Sequence, residues 1–512
     1  MKKKKGWISK CLTGIEVVGN KLPHPVTIFI LLTLIIIGVS EICAKLGVSV
    51  SYQQIDRSSG QIKDMTMQAV GLFNPEGLRY MVTHFVSNFT GFAPLGTVLV
   101  AMLGVVLADG SGLIGAVLRK MVLNTPKRLV TAVVVFAGIL SNVAADVGYV
   151  ILVPLGAMIF ASFGRHPIAG LAAAFAGVSG GFSANLLIGA LDPMLSGLTM
   201  EAAKIYDPSY TVLPTANWYF MIVSTFVIMI LGTIITEKVV EPRLGEYHEK
   251  TIHLEKLNVN ENRGLKWALI SLLVFLLLLG ITLLPGGVLR NPDTGSIFEN
   301  SPFINGIVPI IALFFMIPGI FFGIGSGNIR SDQDVVRFMS EGMSTMGAYL
   351  VLAFFSAQFV NYFTYTNLGV IIAVKGANFL EHTGFTGLWL LIAFVLVAAF
   401  INLFLGSSTA KWAIMAPIFV PMFMQIGFSP ELTQVAYRIG DSVTNVISPL
   451  MSYFAVIIAF AEKYDKKAGI GTIVSTMLPY SLTFLVGWIL LLVVWYLIGL
   501  PLGPMAPLFL TK

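Results

Sequence analysis

The stretch VAYRIGDSVTNVISPL, residues 435–450, sets Arg438 and Asp441 three residues apart in an otherwise apolar region. In a helix that spacing puts both charges on one face. The flanks read as membrane, and a charge at the bilayer centre costs about 2.5–3.5 kcal/mol on the insertion scale. Two readings fit. The charges form a mutual salt bridge that only neutralises both. Alternatively, Arg438 receives a carboxylate through two parallel charged hydrogen bonds, and Asp441 orients it or binds a coupling cation.

Other polar residues recur in apolar context. Asp192, in LIGALDPMLSG, is either a helix N-cap before Pro193 or a cation or proton site. Asn185 and Asn445 each follow a Gly–x–Ser step. Their amide oxygens suit a hard cation such as Na+ beside an unwound helix, or they make helix–helix hydrogen bonds. A Na+ site is therefore expected near Asp192, Asn185 and Asn445. Trp412, beside Lys411, is expected either to offer its ring to an aromatic substrate or to pack. Asn402 can hydrogen-bond substrate.

The elements that must position these residues are membrane spans. Of 512 residues, 56% are hydrophobic and only 11% charged, well under the roughly 25% of soluble domains. PVTIFILLTLIIIGV (25–39), WYFMIVSTFVIMILGTIIT (218–236), WALISLLVFLLLLGITLL (267–284) and LVGWILLLVVWYLIGL (485–500) approach the roughly 20 apolar residues of a span. Ten-residue alternating strands are absent, which excludes a β-barrel. The net charge of +6 lies at span ends and is no nucleic-acid signal. Cys11 and Cys43 cannot build a disulfide framework. The basic start MKKKKGWISK reads as a cytoplasmic tail, since no cleavage site follows. No Walker A, Cys/His cluster or dinucleotide fingerprint appears, so no cofactor is expected.

Basic loops place residues 2–5, 119–128, 237–266 and 463–467 inside the cell. Pro154, Gly164, Pro167, Gly177 and Ser179 recur as Pro417, Gly427, Pro430, Gly440 and Ser442, all at an offset of 263 residues. Tyr149 falls opposite Trp412 at the same offset. GRHP (164–167) belongs inside and GFSPE (427–431) outside, so the copies are inverted about a connector span. Inverted copies place a site near the bilayer midplane. Residues 129–163 and 388–427 carry polar centres, SNVAAD and GSSTAK, and read as re-entrant hairpins. Their tips are Asn142 and Asp146 in the first, Ser408 and Thr409 in the second. The organisation expected is a tail (1–24), a first repeat (25–237), a loop, connector helix and outer loop (238–302), a second repeat (303–500) and a C-terminal tail (501–512).

The motifs GNKLPHP (19–25), GFAPLGTVL (91–99), GRHPIAGLAAAFAGVSGGFSANLL (164–187), NWYFM (217–221), EPRLG (241–245), PFINGIVP (302–309), APIFVPMFM (416–424), RIGDS (438–442) and GLPLGP (499–504) together resemble the p-aminobenzoyl-glutamate transporter family. The resemblance runs over nearly the whole chain. It implies an all-α polytopic protein of nine transmembrane helices plus two re-entrant hairpins, with inverted repeats, in a homodimer with an aqueous bowl. It implies substrate and transport roles for Asp192, Asn402, Trp412, Pro430, Arg438 and Asp441, with Thr409 supplying a hydroxyl near the second tip. The function expected is ion-coupled secondary transport of p-aminobenzoyl-glutamate or sulfonamide-type antimetabolites across the inner membrane. Na+ or H+ would be the coupling ion. The N-terminus would be cytoplasmic and the C-terminus outside. A channel and an intramembrane amidohydrolase acting on aminobenzoyl-glutamate are the competing readings.

Overall fold

The computed structural model describes residues 23, 25–56, 61–123, 125–144, 148–245, 247, 257–297, 301–384, 386–451, 453–466 and 468–510. Asp146, Cys11 and the basic residues 2–5 lie outside them. Among the described residues, six helices are long and apolar enough to cross a bilayer. They are Pro25–Lys45 (α1), Pro75–Gly110 (α2, Pro75–Thr90, with α3, Ala93–Gly110), Trp218–Leu244, Val259–Thr282, Ile307–Ser326 and Ile470–Ile498. Asp332–Ser344 and Gly347–Tyr365, bent by 49°, make a seventh if counted as one span.

Between the long helices lie short ones. α4 (Leu113–Leu123) leads to α5 (Val130–Ser141), a break, and a return through a π turn into α6 (Val153–Ser162). A helix of 12 residues such as α5 spans only about 18 Å at 1.5 Å per residue, well short of a bilayer core. α7 (Pro167–Phe175) continues into a π turn, Ala176–Gly180, and then unwinds. α8 (Leu191–Lys204) follows. α9 (Trp218–Ile235) runs on through a π turn into α10 (Glu241–Leu244), beyond the hydrophobic run that marks it in sequence. α11 (Val259–Thr282) begins eight residues before the expected 267, because Asn258 and Glu261 form a reciprocal capping box.

α12 (Ile307–Ser326), α13 (Asp332–Ser344), α14 (Gly347–Tyr365) and α15 (Leu368–His382) open the second half. α16 (Gly387–Asn402) and α17 (Ser408–Gln425) flank a non-helical stretch at 403–407. α18 (Pro430–Val443), α19 (Phe454–Glu462) and α20 (Ile470–Ile498) complete the chain.

Positions at the 263-residue offset share local geometry. Gly164 and Gly427 both adopt left-handed φ, +71° and +98°, in the turn before a short helix. Pro167 and Pro430 both open that helix, where a missing N–H costs nothing. Gly177 and Gly440 both allow close contact with an earlier helix: a Cβ would strike the Val135 carbonyl of α5 in one case and the Val395 carbonyl of the helix Gly387–Asn402 in the other. Tyr149 stacks on Tyr453 at 4.7 Å and Trp412 on Tyr437 at 4.4 Å. Pro154 and Pro417 differ, the first opening a helix and the second lying inside one.

Two features add to the expected all-α protein with its C-terminal tail. β1 (Ser49–Asp56) and β2 (Gln61–Gln68) form an antiparallel hairpin, with Ser49 opposite Gln68. The hairpin is fastened to the α14–α15 turn: Asn367 donates to the Gln68 carbonyl at 2.9 Å, and Val70 N–H to the Thr366 carbonyl at 3.1 Å. Residues 502–510 form a strap rather than a tail. Tyr219 donates its N–H to Leu502 O at 2.9 Å, Ser429 to Leu508 O at 3.0 Å, and Leu510 to Gly427 O at 3.0 Å. The strap thus ties the start of α9 to the turn before α18.

The loop between α6 and α7 is clamped. Arg165 grips both carboxylate oxygens of Glu241, donates to Thr131 Oγ1 at 2.8 Å and lies 4.1 Å over the Phe160 ring. Burial pushes the neighbouring His166 imidazole below its usual range, against opposing pulls from Glu241 and Asp465. The neutral ring suits the structure, because Nδ1 accepts the Ile168 N–H at the start of α7.

Candidate functional site

The site forms where the unwound ends of α7 and α18 meet. The π turn Ala176–Gly180 packs on the 3-10 turn Asn445–Ile447 that follows α18. Ser183 N–H donates to Ser442 Oγ at 3.1 Å, which joins the two halves of the chain. α8 and α17 close the site from the sides.

Arg438 and Asp441 do not pair with each other, which corrects the mutual salt bridge considered from sequence. Each finds a partner on another element. Arg438 Nη1 donates to Asp192 Oδ1 of α8 at 2.7 Å, with Arg438 4% and Asp192 2% exposed. Asp441 Oδ1 accepts from Lys411 Nζ of α17 at 2.5 Å. The physical reason is geometric: on one short helix two charges three apart can meet only along its surface, whereas facing helices present partners end-on.

Asp192 is not the N-cap. Ala190 holds that position and Asp192 lies in the first turn of α8. Its Oδ2 still accepts the Gly189 N–H at 2.7 Å, so one oxygen braces the helix start while the other holds Arg438. Asn402 is a node. Its Nδ2 points to Asp441 O at 2.5 Å, Asn445 Oδ1 at 2.8 Å and Thr444 Oγ1 at 2.9 Å, and its Oδ1 accepts from Lys411. Asn445 also reaches Ser179 O at 3.5 Å. Asn185 turns its amide oxygen to the Leu186 and Leu187 N–H groups at 2.9 and 3.4 Å, so that oxygen braces local backbone.

Trp412 does not face a cavity. It is fully buried, stacked on Tyr437 at 25° between ring planes. Its Nε1 donates to Thr199 Oγ1 at 2.9 Å. Thr199 lies 2.5 Å from Gln434 Oε1, Gln434 Nε2 donates to Asn217 Oδ1 at 2.7 Å, and Asn217 Nδ2 to Glu431 O at 3.0 Å. Tyr210 donates to Glu431 Oε2 at 2.9 Å. Pro430 is the first residue of α18, behind the Ser429 cap that accepts the Leu432 N–H at 3.1 Å.

The tip residues separate. Ser408 opens α17, its carbonyl accepting from Tyr437 at 2.6 Å, and Thr409 reaches Met194 Sδ at 3.6 Å. Thr409 lines a cavity of about 580 Å³ with Leu405, Gly406, Ser407, Met194 and Tyr349. Asn142 lies elsewhere, at the break after α5, where Nδ2 donates to Ile139 O at 3.1 Å. Arg438, 4% exposed, lines a void of about 10 Å³ with Ser183 and Asn217. Substrate can reach it only after the elements around it move.

Sequence reading missed Tyr437, Thr199, Gln434, Asn217, Glu431 and Tyr210. A signal was present for two of them. Glu431, Gln434, Arg438 and Asp441 follow at intervals of three and four residues, a polar stripe along one face of an otherwise apolar segment.

The AbgT putative transporter family model matches residues 10–510. The p-aminobenzoyl-glutamate transport protein of Escherichia coli (strain K12) is 39% identical over 492 residues, covering 96% of this chain and 95% of that one. The Neisseria gonorrhoeae MtrF structure, described as illuminating a class of antimetabolite efflux pumps, superposes with TM-score 0.92 at 50% identity, over 97% of this chain and all of that one. The Alcanivorax borkumensis YdaH transporter gives 0.88 at 45% identity, over 94% of this chain and all of that one. Helices of spanning length around a charged interior, with such relatives, define a multi-pass membrane transport protein and set aside the amidohydrolase reading. The chain belongs to the AbgT putative transporter family.

Two outcomes follow from the geometry. Arg438→Met leaves Asp192 buried and unpaired, a loss of about 3–5 kcal/mol, whereas Arg438→Met with Asp192→Leu recovers most of it. Thermal unfolding in detergent compares them; equal stability of single and double variants contradicts the assignment. Thr199→Val strands the Trp412 indole N–H at a cost of about 1–3 kcal/mol. In a Trp412→Phe background the same change should cost clearly less, which a double-mutant cycle reads directly.

Proposed function

We propose that the chain is an ion-coupled secondary transporter of small aryl carboxylates across the inner membrane, p-aminobenzoyl-glutamate or sulfonamide-type antimetabolites among them. The observation that carries the reading is the buried Arg438–Asp192 pair, made between segments from opposite halves of the chain. A substrate carboxylate offers Arg438 a planar partner of the same kind as Asp192. When substrate takes the guanidinium, Asp192 is left as an uncompensated carboxylate. It then takes the coupling ion, Na+ or H+, because an unpaired charge there is too costly to keep. Substrate and ion are thereby linked through one exchange of partners. The Asn402 node ties the end of α16 to Lys411 and to Asn445 beyond α18, and a movement that uncovers the buried Trp412–Tyr437 stack would offer an aryl ring an aromatic wall.

The matching geometry at the 263-residue offset supports two inverted repeats around this site, within nine spans and two re-entrant hairpins per subunit of a homodimer. The basic loops favour a cytoplasmic N-terminus and an external C-terminus. A reporter active only in the cytoplasm, fused after Lys512, should be silent; activity would refute that orientation.

Transport is tested in proteoliposomes with labelled p-aminobenzoyl-glutamate and a sulfonamide, under Na+ and H+ gradients imposed separately. The wild type should move substrate against its gradient under at least one of them. Arg438→Met with Asp192→Leu should fold and lose about tenfold to over a hundredfold in substrate affinity, the worth of a charged hydrogen-bond pair of about 1.5–3 kcal/mol. A stable double variant that transports at the wild-type rate would leave Arg438 structural.

A further inference from the structure

A second cavity lies apart from the charged interior, with α4 and the end of α5 on one side and α11 and α12 on the other. Its volume is about 500 Å³, within the range of small-molecule sites. Its walls are aliphatic and aromatic, and among the described residues that line it Lys120 alone carries a charge. The groove opens sideways, because Val117 of α4 is 45% exposed and Leu269 of α11 is 57% exposed. Beside Leu269, Ile270 and Leu273 belong to a belt of exposed apolar residues along α11, a helix of spanning length. An occupant therefore arrives from the bilayer, and walls this apolar hold water poorly.

Charge at one end of the groove selects which lipid. From Ser111 to Ala144 the sequence holds four basic residues, Arg119, Lys120, Lys127 and Arg128, and no acidic one. Arg119 is answered by Glu261, and that bridge pins the basic end of α4 to the start of α11. Lys120 and the exposed Lys266, next to the lining residue Leu265, thus come to the same end. Among the described residues neither of them has an ion-pair partner, nor have Lys127 and Arg128. The positive-inside rule puts this end at the cytoplasmic leaflet, where basic pockets between spans take anionic head groups. A second copy of the chain suits the groove less, since a two-fold contact centred there would set Lys120 and Lys266 against the same cations.

We infer that the groove between α4, α5, α11 and α12 binds an anionic phospholipid, with its phosphate at Lys120 and Lys266 and one acyl chain against Leu140, Val143 and Leu187. Burial of the chain supplies affinity common to every phospholipid, whereas the cations supply the preference for a negative head group. The inner wall gives the site a bearing on the charged interior. Leu140 and Val143 flank the break after α5, and Leu187 follows the unwound end of α7. Asn185 braces the Leu187 N–H at 3.4 Å, and five residues on from Leu187 stands Asp192, which holds Arg438. The acyl chain thus fills the space between the α11–α12 pair and the segment that leads into α8.

Native mass spectrometry of the full-length protein, delipidated in detergent and offered dioleoyl phosphatidylglycerol or dioleoyl phosphatidylcholine, tests this. Wild type should hold phosphatidylglycerol more tightly by about fivefold or better. Lys120→Gln should weaken phosphatidylglycerol about fivefold, the worth of one cation near the head group, and leave phosphatidylcholine unchanged. Val117→Trp puts bulk in the opening and should weaken both lipids. Lys238→Gln removes an exposed cation outside the groove and should change neither. Equal retention of the two lipids by wild type overturns the inference, and so does an equal loss from Lys238→Gln and Lys120→Gln. Glycerol 3-phosphate, a head group without chains, should not compete; competition at the concentration of the lipid would assign the cations to a soluble phosphate instead. Subunits that separate in Val117→Trp while lipid binding persists would give the groove to a second copy and overturn the lipid assignment. If a variant unfolds, thermal unfolding of wild type with each lipid decides. Stronger stabilisation by phosphatidylglycerol supports the site, and equal stabilisation by both lipids overturns it.

Discussion

Two buried ion pairs, Arg438–Asp192 and Lys411–Asp441, share the apolar interior, and the mutual cancellation of their charges is the constraint around which the other elements are arranged. Each would cost about 2.5–3.5 kcal/mol alone at membrane depth. Arg438 is answered from α8 and Asp441 from α17, so α18 cannot leave its place without stranding a charge. The bonds between halves follow from that anchoring. Ser183 meets Ser442, Asn445 meets Ser179, and the Thr199–Gln434–Asn217 chain runs alongside. Stability alone does not require such an arrangement, since apolar substitutes can serve as well as buried ion pairs. What a pair of opposite charges adds is the capacity to change partners.

The polytopic class was legible because hydrophobicity over some twenty residues is a long-range signal that no local detail disturbs. The offset of 263 residues was legible for a different reason. Gly164, Gly427, Pro167 and Pro430 mark backbone conformations that few other residues tolerate, so their spacing reports geometry directly. Hydropathy was less informative where helices are short or bent. Six spans, or seven with the 49° bend, meet the length criterion among the described residues, while α5, α6, α7 and α16 are apolar but shorter. The β-hairpin and the terminal strap escaped because both are polar or irregular stretches held by main-chain bonds to distant elements.

At the site, residue types were legible and partnerships were not. Arg438, Asp441, Asp192 and Asn402 stand out as polar groups in apolar runs, and the fold brings all four together. Which carboxylate answers which cation depends on how helices remote in sequence face one another, and spacing along one helix carries no such information. Trp412 shows the same limit. Its place beside Lys411 in an apolar run was plain, but its burial against Tyr437 follows from the position of α18, which only the fold supplies.

The strap at 502–510 binds through main-chain atoms: the Leu502 and Leu508 carbonyls accept from Tyr219 and Ser429, and the Leu510 amide donates to Gly427. A fastening of that kind is written in backbone rather than in side chains. The hydrogen bonds themselves ask for no particular side chain, provided no proline removes the donor at 510. The packing beneath them does: Leu502, Ala506 and Leu508 are buried in the core, and Phe509 lies edge-on to Tyr496. Gly503 is constrained too, since a side chain there would strike the Thr215 carbonyl. A substitution in this segment can therefore loosen the seam while leaving every stitch in place.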